Sequence, residues 1–182
     1  MICNTCGKSF DARADARFCS GKCRVAHHRG ATIPLAMRRL PRWVRYSAKK
    51  APLTVTGWPA SSTNPSTWTT YDRVRADDHG VGFGFVFAGD GIAGIDLDHC
   101  LADGVLEPWA RDIVDACEGT YIEVSPSGTG LHIFGRATVG AGRKIGGVEV
   151  YDRGRYFTVT GRRFEGAPKR LGNISGVVSS LT

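Results

Sequence analysis

The stretch "GIAGIDLDHC", residues 91–100, constrains the fold more than any other part of the chain, because it sets two aspartates at i and i+2 inside an apolar run. A β-strand alternates its side chains between two faces, so Ile95 and Leu97 take one face while Asp96 and Asp98 take the other. Two like charges that close repel each other and resist burial unless something compensates them. Such a strand has an apolar back and a charged front.

Other segments repeat that alternation. In 131–134, Leu131 and Ile133 oppose His132; in 148–151, Val148 and Val150 oppose Glu149 and Tyr151; in 156–160, Phe157 and Val159 oppose Tyr156, Thr158 and Thr160. If these strands share one sheet, its second face collects Asp96, Asp98, His132 and Glu149. "TYIEV" supplies a further strand, and "GVGFGFVFAGDGIAGIDLDH" reads as a hairpin around "AGDG". The clearest helix is "EPWARDIVDACEG", with Pro108 in its first turn, Trp109, Ile113 and Cys117 on one face, and Gly119 closing it. A shorter helix is expected in "NPSTWTTYDRVRA", entered through Pro65 with Trp68, Tyr71 and Val74 at helical spacing. Residues 49–68 read as a loop, and "GAPKRLGNISGVVSSLT" carries no assignable feature. The fold class expected is α+β.

Charge is distributed unevenly. The net +7 arises from 12 Lys/Arg against 2 Asp/Glu in residues 1–50, and 12 against 15 in residues 51–182. A basic first third beside a slightly acidic body points to a polyanion-holding segment attached to a domain with a different task. No run approaches the roughly 18 apolar residues of a membrane span. "MICNTCGKSF" lacks the apolar stretch of a signal peptide, which gives the expectation of a cytoplasmic, reducing setting.

That setting argues against disulfides. Cys3-x2-Cys6-x12-Cys19-x3-Cys23 instead has the spacing of a tetrahedral structural Zn²⁺ site. A segment of about 30 residues cannot bury enough surface to fold without such a staple. Cys100 and Cys117 have no close partners and read as ordinary buried thiols. Four units are expected: a zinc knuckle over 1–29, a basic connector over 30–50, a catalytic body over 51–165 and a tail over 166–182.

Three gathered carboxylates call for cations. Two divalent ions roughly 3.5–4 Å apart would hold Asp96, Asp98 and Glu149, and all-oxygen ligation favours Mg²⁺ or Mn²⁺ over zinc. "EVSPSGTGLHIFG" places Ser125, Ser127, Gly128, Thr129 and Gly130 between two strands, where backbone N–H groups and hydroxyls can approach an anion. A triphosphate suits that loop, with His132 as a further donor. Lys144, Arg143, Arg153 and Arg155 are available as phosphate contacts.

"GIDLDHC", "EVSPSGTGLHIFG" and "GGVEVYDRGRYFTVTG", in that order, resemble the primase-polymerase domains of phages and mobile elements, within the archaeo-eukaryotic primase superfamily. The similarity takes in "GWPASSTNPSTW" upstream and covers roughly residues 40–162. It implies an RRM-like core with a mainly antiparallel mixed sheet. It also implies template-directed nucleotidyl transfer by two metal ions with release of pyrophosphate. Asp96 and Asp98 fall on the family's D-x-D metal ligands, Gly130 and His132 on its phosphate-contacting motif, and Glu149 on its third carboxylate. Ser is common where this chain has Gly130, and Asp where it has Glu149. The resemblance further implies Tyr156 near the nucleotide sugar. The partners it implies are a single-stranded DNA template, nucleoside triphosphates and a replicative helicase. A metal-dependent nuclease and a non-catalytic nucleic-acid-binding module are the alternatives.

Overall fold

The computed structural model describes residues 9–11, 13, 16, 18–21, 24 and 32–181. The chain divides into two compact units, 1–32 and 33–182. Of the four cysteines expected to bind zinc, Cys19 is exposed, while Cys3, Cys6 and Cys23 lie outside the described residues.

The larger unit contains helices α1 (Leu35–Arg38), α2 (Tyr71–Ala76), α3 (Pro108–Ala116) and α4 (Ser175–Leu181). Its strands are β1 (Trp43–Tyr46), β2 (Pro52–Leu53), β3 (Gly82–Ala88), β4 (Ile92–Leu97), β5 (Leu101–Ala102) and β6 (Val105–Leu106). They continue with β7 (Tyr121–Val124), β8 (Leu131–Arg136), β9 (Arg143–Ile145), β10 (Val148–Tyr151) and β11 (Arg153–Val159). Five strands pair in the order β7-β8-β4-β10-β9, four as β11-β3-β1-β2, and β5 with β6 forms a small ribbon. Every pairing among these strands is antiparallel.

Alternation divides the core in two. Ala93, Ile95 and Leu97 of β4, Leu131 and Ile133 of β8, Ile122 of β7 and Val150 of β10 pack with Ala110 and Val114 of α3 and with Ile174 and Val178. The opposite face sends Ile92, Tyr121 and Phe134 into an aromatic layer with Trp43, Tyr71, Phe85, Phe87 and Phe157. Phe87 stacks on Phe134 with centroids 5.9 Å apart, and Phe157 meets Phe87 edge-on at 4.9 Å. Such contacts add to the area term that drives burial.

Several expectations change. The strands of 92–97, 131–136 and 148–151 do share one sheet, but 153–159 lies in the other. Residues 82–97 are not a hairpin: β3 pairs with β1 and β11, and β4 with β8 and β10. Gly89 and Gly91, at φ 75° and 86°, let the chain cross between sheets. The crossing is pinned by Asp90, which takes both guanidinium nitrogens of Arg42 at 2.7 Å. The helix expected from Pro65 splits into a 3-10 turn (Pro65–Thr67) and α2, because Thr69 instead exchanges backbone hydrogen bonds with Trp43. Along α3 and its C-cap the buried stripe is Ala110, Val114 and Cys117, leaving Trp109 half-exposed.

Two segments taken as peripheral belong to the body. Residues 33–46 of the expected connector provide α1 and β1, with Met37, Trp43 and Val44 buried. The tail returns through α4, with Ile174 pressed against Gly135, where a Cβ would stand 2.7 Å from its side chain. Ile174→Ala should therefore cost about 2–5 kcal/mol in chemical denaturation. A loss under about 0.5 kcal/mol would mark the tail as a surface appendage.

Candidate active site

The register of the five-stranded sheet aligns Glu123, His132, Asp96, Glu149 and Lys144 in one row running across β7, β8, β4, β10 and β9. All five project from the face opposite the α3–α4 core. The aromatic layer covers that face as far as the next row, Tyr121, Phe134 and Gly94, and Phe157 lies 5.3 Å from the His132 ring. Exposure then rises along the row, with side-chain values of 0% for Glu123, 6% for His132, 21% for Asp96 and Glu149, and 59% for Lys144. The row thus runs from dry interior to solvent.

Asp96 occupies the middle. Burial raises its carboxyl above the ordinary value, and the Asp98 and Glu149 charges add to the rise, while His132 and Lys50 oppose it. His132 Nε2 lies 3.7 Å from Asp96 Oδ1. Asp98 follows in the turn after β4, where its N–H donates to the Gly147 carbonyl at 2.7 Å. Glu149 is ion-paired with Lys144, so Lys144 neutralises a carboxylate here.

At the same end of β4 and β8 sits the β7–β8 turn. Ser125 N–H donates to Gly130 O at 2.9 Å, and Gly128 turns the chain at φ 84°. The hydroxyls of Ser125, Ser127 and Thr129 form a chain with 3.0 Å links. Gly130 has a steric reason: a Cβ there would stand 2.7 Å from the Leu97 carbonyl and 3.1 Å from Ser125 Oγ. The hydroxyl beside Gly130 is therefore that of Ser125 rather than Ser127.

Other residues singled out in the sequence are placed differently. Arg153 is held by Asp152, with Nε 3.0 Å from Oδ1. It lies beyond Tyr151, whose partner is Gly94, and so toward the far end of β4 from Asp98. Arg155 stacks over Tyr151 with its guanidinium carbon 5.2 Å from the ring centre, on the margin of the charged face. Arg143 is exposed on β9. Tyr156 projects opposite to Phe157, and its hydroxyl donates to the Lys50 carbonyl. Burial pushes that phenol up to about 12, so it remains a donor.

Three residues escaped the sequence reading. Glu123 is fully buried, yet its alternation with Ile122 and Val124 marked the same face as His132. Lys50, in the β1–β2 turn with φ 57°, places its charge in reach of Asp96. Arg162 donates to the Ser125 carbonyl beside the hydroxyl turn. Neither Lys50 nor Arg162 carries a local pattern that would have found it.

Asp96, Asp98 and Glu149 fit a hard divalent cation by donor chemistry: three oxygen donors, one of them desolvated, with repulsion that a cation would relieve. Their oxygens are not drawn together as they stand. Among the described residues, the acidic group whose donor atoms all lie within 4.8 Å of one another is Asp77, Asp78 and His79, where Arg45 already sits 3.6 Å from Asp77.

An α+β protein of antiparallel sheets with an acidic row flanked by a hydroxyl-lined turn is the class these features define. No family model matches the chain. Over 148 residues it is 36% identical to the DNA primase-polymerase of Nitratiruptor phage NrS-1, a match covering 72% of this chain and 20% of that protein. The matched part of the chain is similar to that primase-polymerase, and the chain spans about a fifth of its length.

Asp96 gives a pH test. A raised carboxyl favours the folded state while protonated, and that contribution is lost as pH rises through the raised value. In chelator, Asp96→Asn should melt higher than the parent at neutral pH, by about 2–4 °C per kcal/mol relieved. The gap should close below the ordinary carboxyl value of 3.8. Equal melting at neutral pH would show that Asp96 carries no such burden.

Proposed function

We propose that this chain carries the nucleotidyl-transfer centre of a DNA primase-polymerase. The observation that carries the proposal is the transverse row itself, which gathers the D-x-D aspartate Asp96 with His132 and Glu149 from the flanking strands. The similarity of the matched region to a phage DNA primase-polymerase supports the same reading.

Asp96, Asp98 and Glu149 would hold Mg²⁺ or Mn²⁺. Bound there, the ions would lower the pKa of the attacking 3′-hydroxyl and neutralise charge on the departing pyrophosphate. The chain's own groups do the rest. His132 Nε2 faces the reacting phosphates from a fixed ring. The Ser125–Ser127–Thr129 hydroxyls and Gly128 line the turn that receives the triphosphate. Arg162 brings positive charge beside that turn, Lys50 offsets charge at Asp96, and Lys144 exchanges Glu149 for phosphate oxygen. Tyr156, by gripping the Lys50 carbonyl, fixes the turn that carries this lysine. The spacing of Cys3, Cys6, Cys19 and Cys23 and the basic residues after them support a Zn²⁺ module that grips single-stranded template. A replicative helicase is the partner that would supply that strand.

Nucleotide incorporation on single-stranded DNA, with and without primer, in Mg²⁺ and in Mn²⁺, tests this. Asp96→Ala/Asp98→Ala should reduce synthesis by more than about a hundredfold. Lys50→Ala and Arg162→Ala should each raise the nucleotide KM by about tenfold, the worth of one charge-assisted hydrogen bond. No synthesis by the folded parent, with salt-sensitive DNA binding indifferent to metal and nucleotide, would leave a nucleic-acid-binding module instead. Metal-dependent DNA cleavage without nucleotide would make it a nuclease.

A further inference from the structure

We infer that Glu123 is a positioning residue for this centre: a buried carboxylate that holds the His132 ring with Nδ1 turned inward and Nε2 presented toward Asp96. The inference rests on the nucleotidyl-transfer proposal for what the ring serves, and on geometry for how the ring is held.

Burying a carboxylate is costly, and a well-packed apolar side chain would commonly be as stable or more so. Glu123 is nonetheless fully buried, and its oxygens are closely occupied. Oε2 accepts from the Tyr121 hydroxyl at 2.6 Å and from Gly161 N–H at 2.8 Å, and Oε1 accepts from Thr160 N–H at 2.9 Å. Burial, then the Glu123 charge, raises the Tyr121 phenol, which keeps its proton as the donor. A carboxylate oxygen has two lone-pair sites, so Oε1 retains one. His132 Nδ1 lies 3.5 Å from it, and is a buried side-chain nitrogen with no hydrogen-bond partner among the described residues.

A carboxylate only accepts, so the nitrogen turned toward it must carry a hydrogen. Phe157 lies nearly parallel to the imidazole at 31°, and Phe134 meets it edge-on with centroids 6.3 Å apart. Between the two rings the imidazole has little room to turn. Its Nε2 is left at the solvent-grading end of the row, 3.7 Å from Asp96 Oδ1. Thr160 and Gly161 follow β11, so the same carboxylate also ties His132 to the second sheet. Exchange of the carboxylate for a carboxamide would set an amide N–H₂ against Thr160 or Gly161, and at Oε1 against the ring nitrogen as well.

The test uses the full chain with ¹⁵N-labelled histidine, His132→Asn to assign the ring, and long-range ¹H–¹⁵N correlation at neutral pH. The parent should show Nδ1 of His132 bearing hydrogen. Glu123→Gln should change that ring signature and lower synthesis at saturating nucleotide by about 10- to 100-fold, with template affinity unchanged. Tyr121→Phe, which strips one donor from the same carboxylate, should keep the ring signature and most of the rate. A bare Nδ1 in the parent overturns the inference, whether or not Glu123→Gln folds. So does a folded Glu123→Gln with the parent's ring signature and rate. The expected ring signature in a parent that synthesises nothing would sink the polymerase proposal while leaving the placement of His132 intact.

Discussion

Strand register in the five-stranded sheet is the constraint on which the site depends. Glu123, His132, Asp96, Glu149 and Lys144 meet because four antiparallel pairings place them opposite one another. A slip of one residue in β4 would turn Asp96 into the apolar layer of α3 and Ile174, and bring Ile95 or Leu97 to the charged face. Burial of Ala93, Ile95 and Leu97 on one side fixes the register, and the charged side inherits its geometry from that burial.

The second sheet decides how wet the site is. Its aromatic residues cover the charged face at Gly94, where Phe87 and Phe157 lie against the bare backbone, and Phe157 extends to the His132 ring. One row further along, Glu123 and His132 are dry, Asp96 is partly desolvated and Lys144 is in water. A dry end suits groups that must keep one orientation, and a wet end suits groups that must exchange partners. Desolvation of Asp96, with the Asp98 and Glu149 charges beside it, raises its carboxyl against the opposing pull of His132 and Lys50.

Much of this was legible because alternation is a local property. The strands at 92–97, 131–136 and 148–151, and the facing of Asp96, His132 and Glu149, follow from a period of two in the sequence. The same rule would have found Glu123 in "TYIEV", whose charge opposes Ile122 and Val124. Long-range partners were not legible. Arg153 looked free until Asp152 was seen to hold it, and Lys50 looked like one basic residue among many until its turn was found near Asp96. The tail looked featureless because its contribution is a few apolar contacts, Ile174 on Gly135 among them, with no pattern along the chain.

The sequence by itself determined which residues can be inside or outside each strand, since side-chain alternation and the cost of burying charge act within a few residues. It also carried the ordered segments on which the resemblance to primase-polymerases rests. Only the tertiary structure decided that β3 and β4 part into different sheets, that the aromatic layer stops beside Asp96, and that a buried Glu123 lies behind His132. Those outcomes depend on pairings and contacts between residues far apart in the chain, such as Thr160 with Glu123 and Phe87 with Phe134, which no local periodicity encodes.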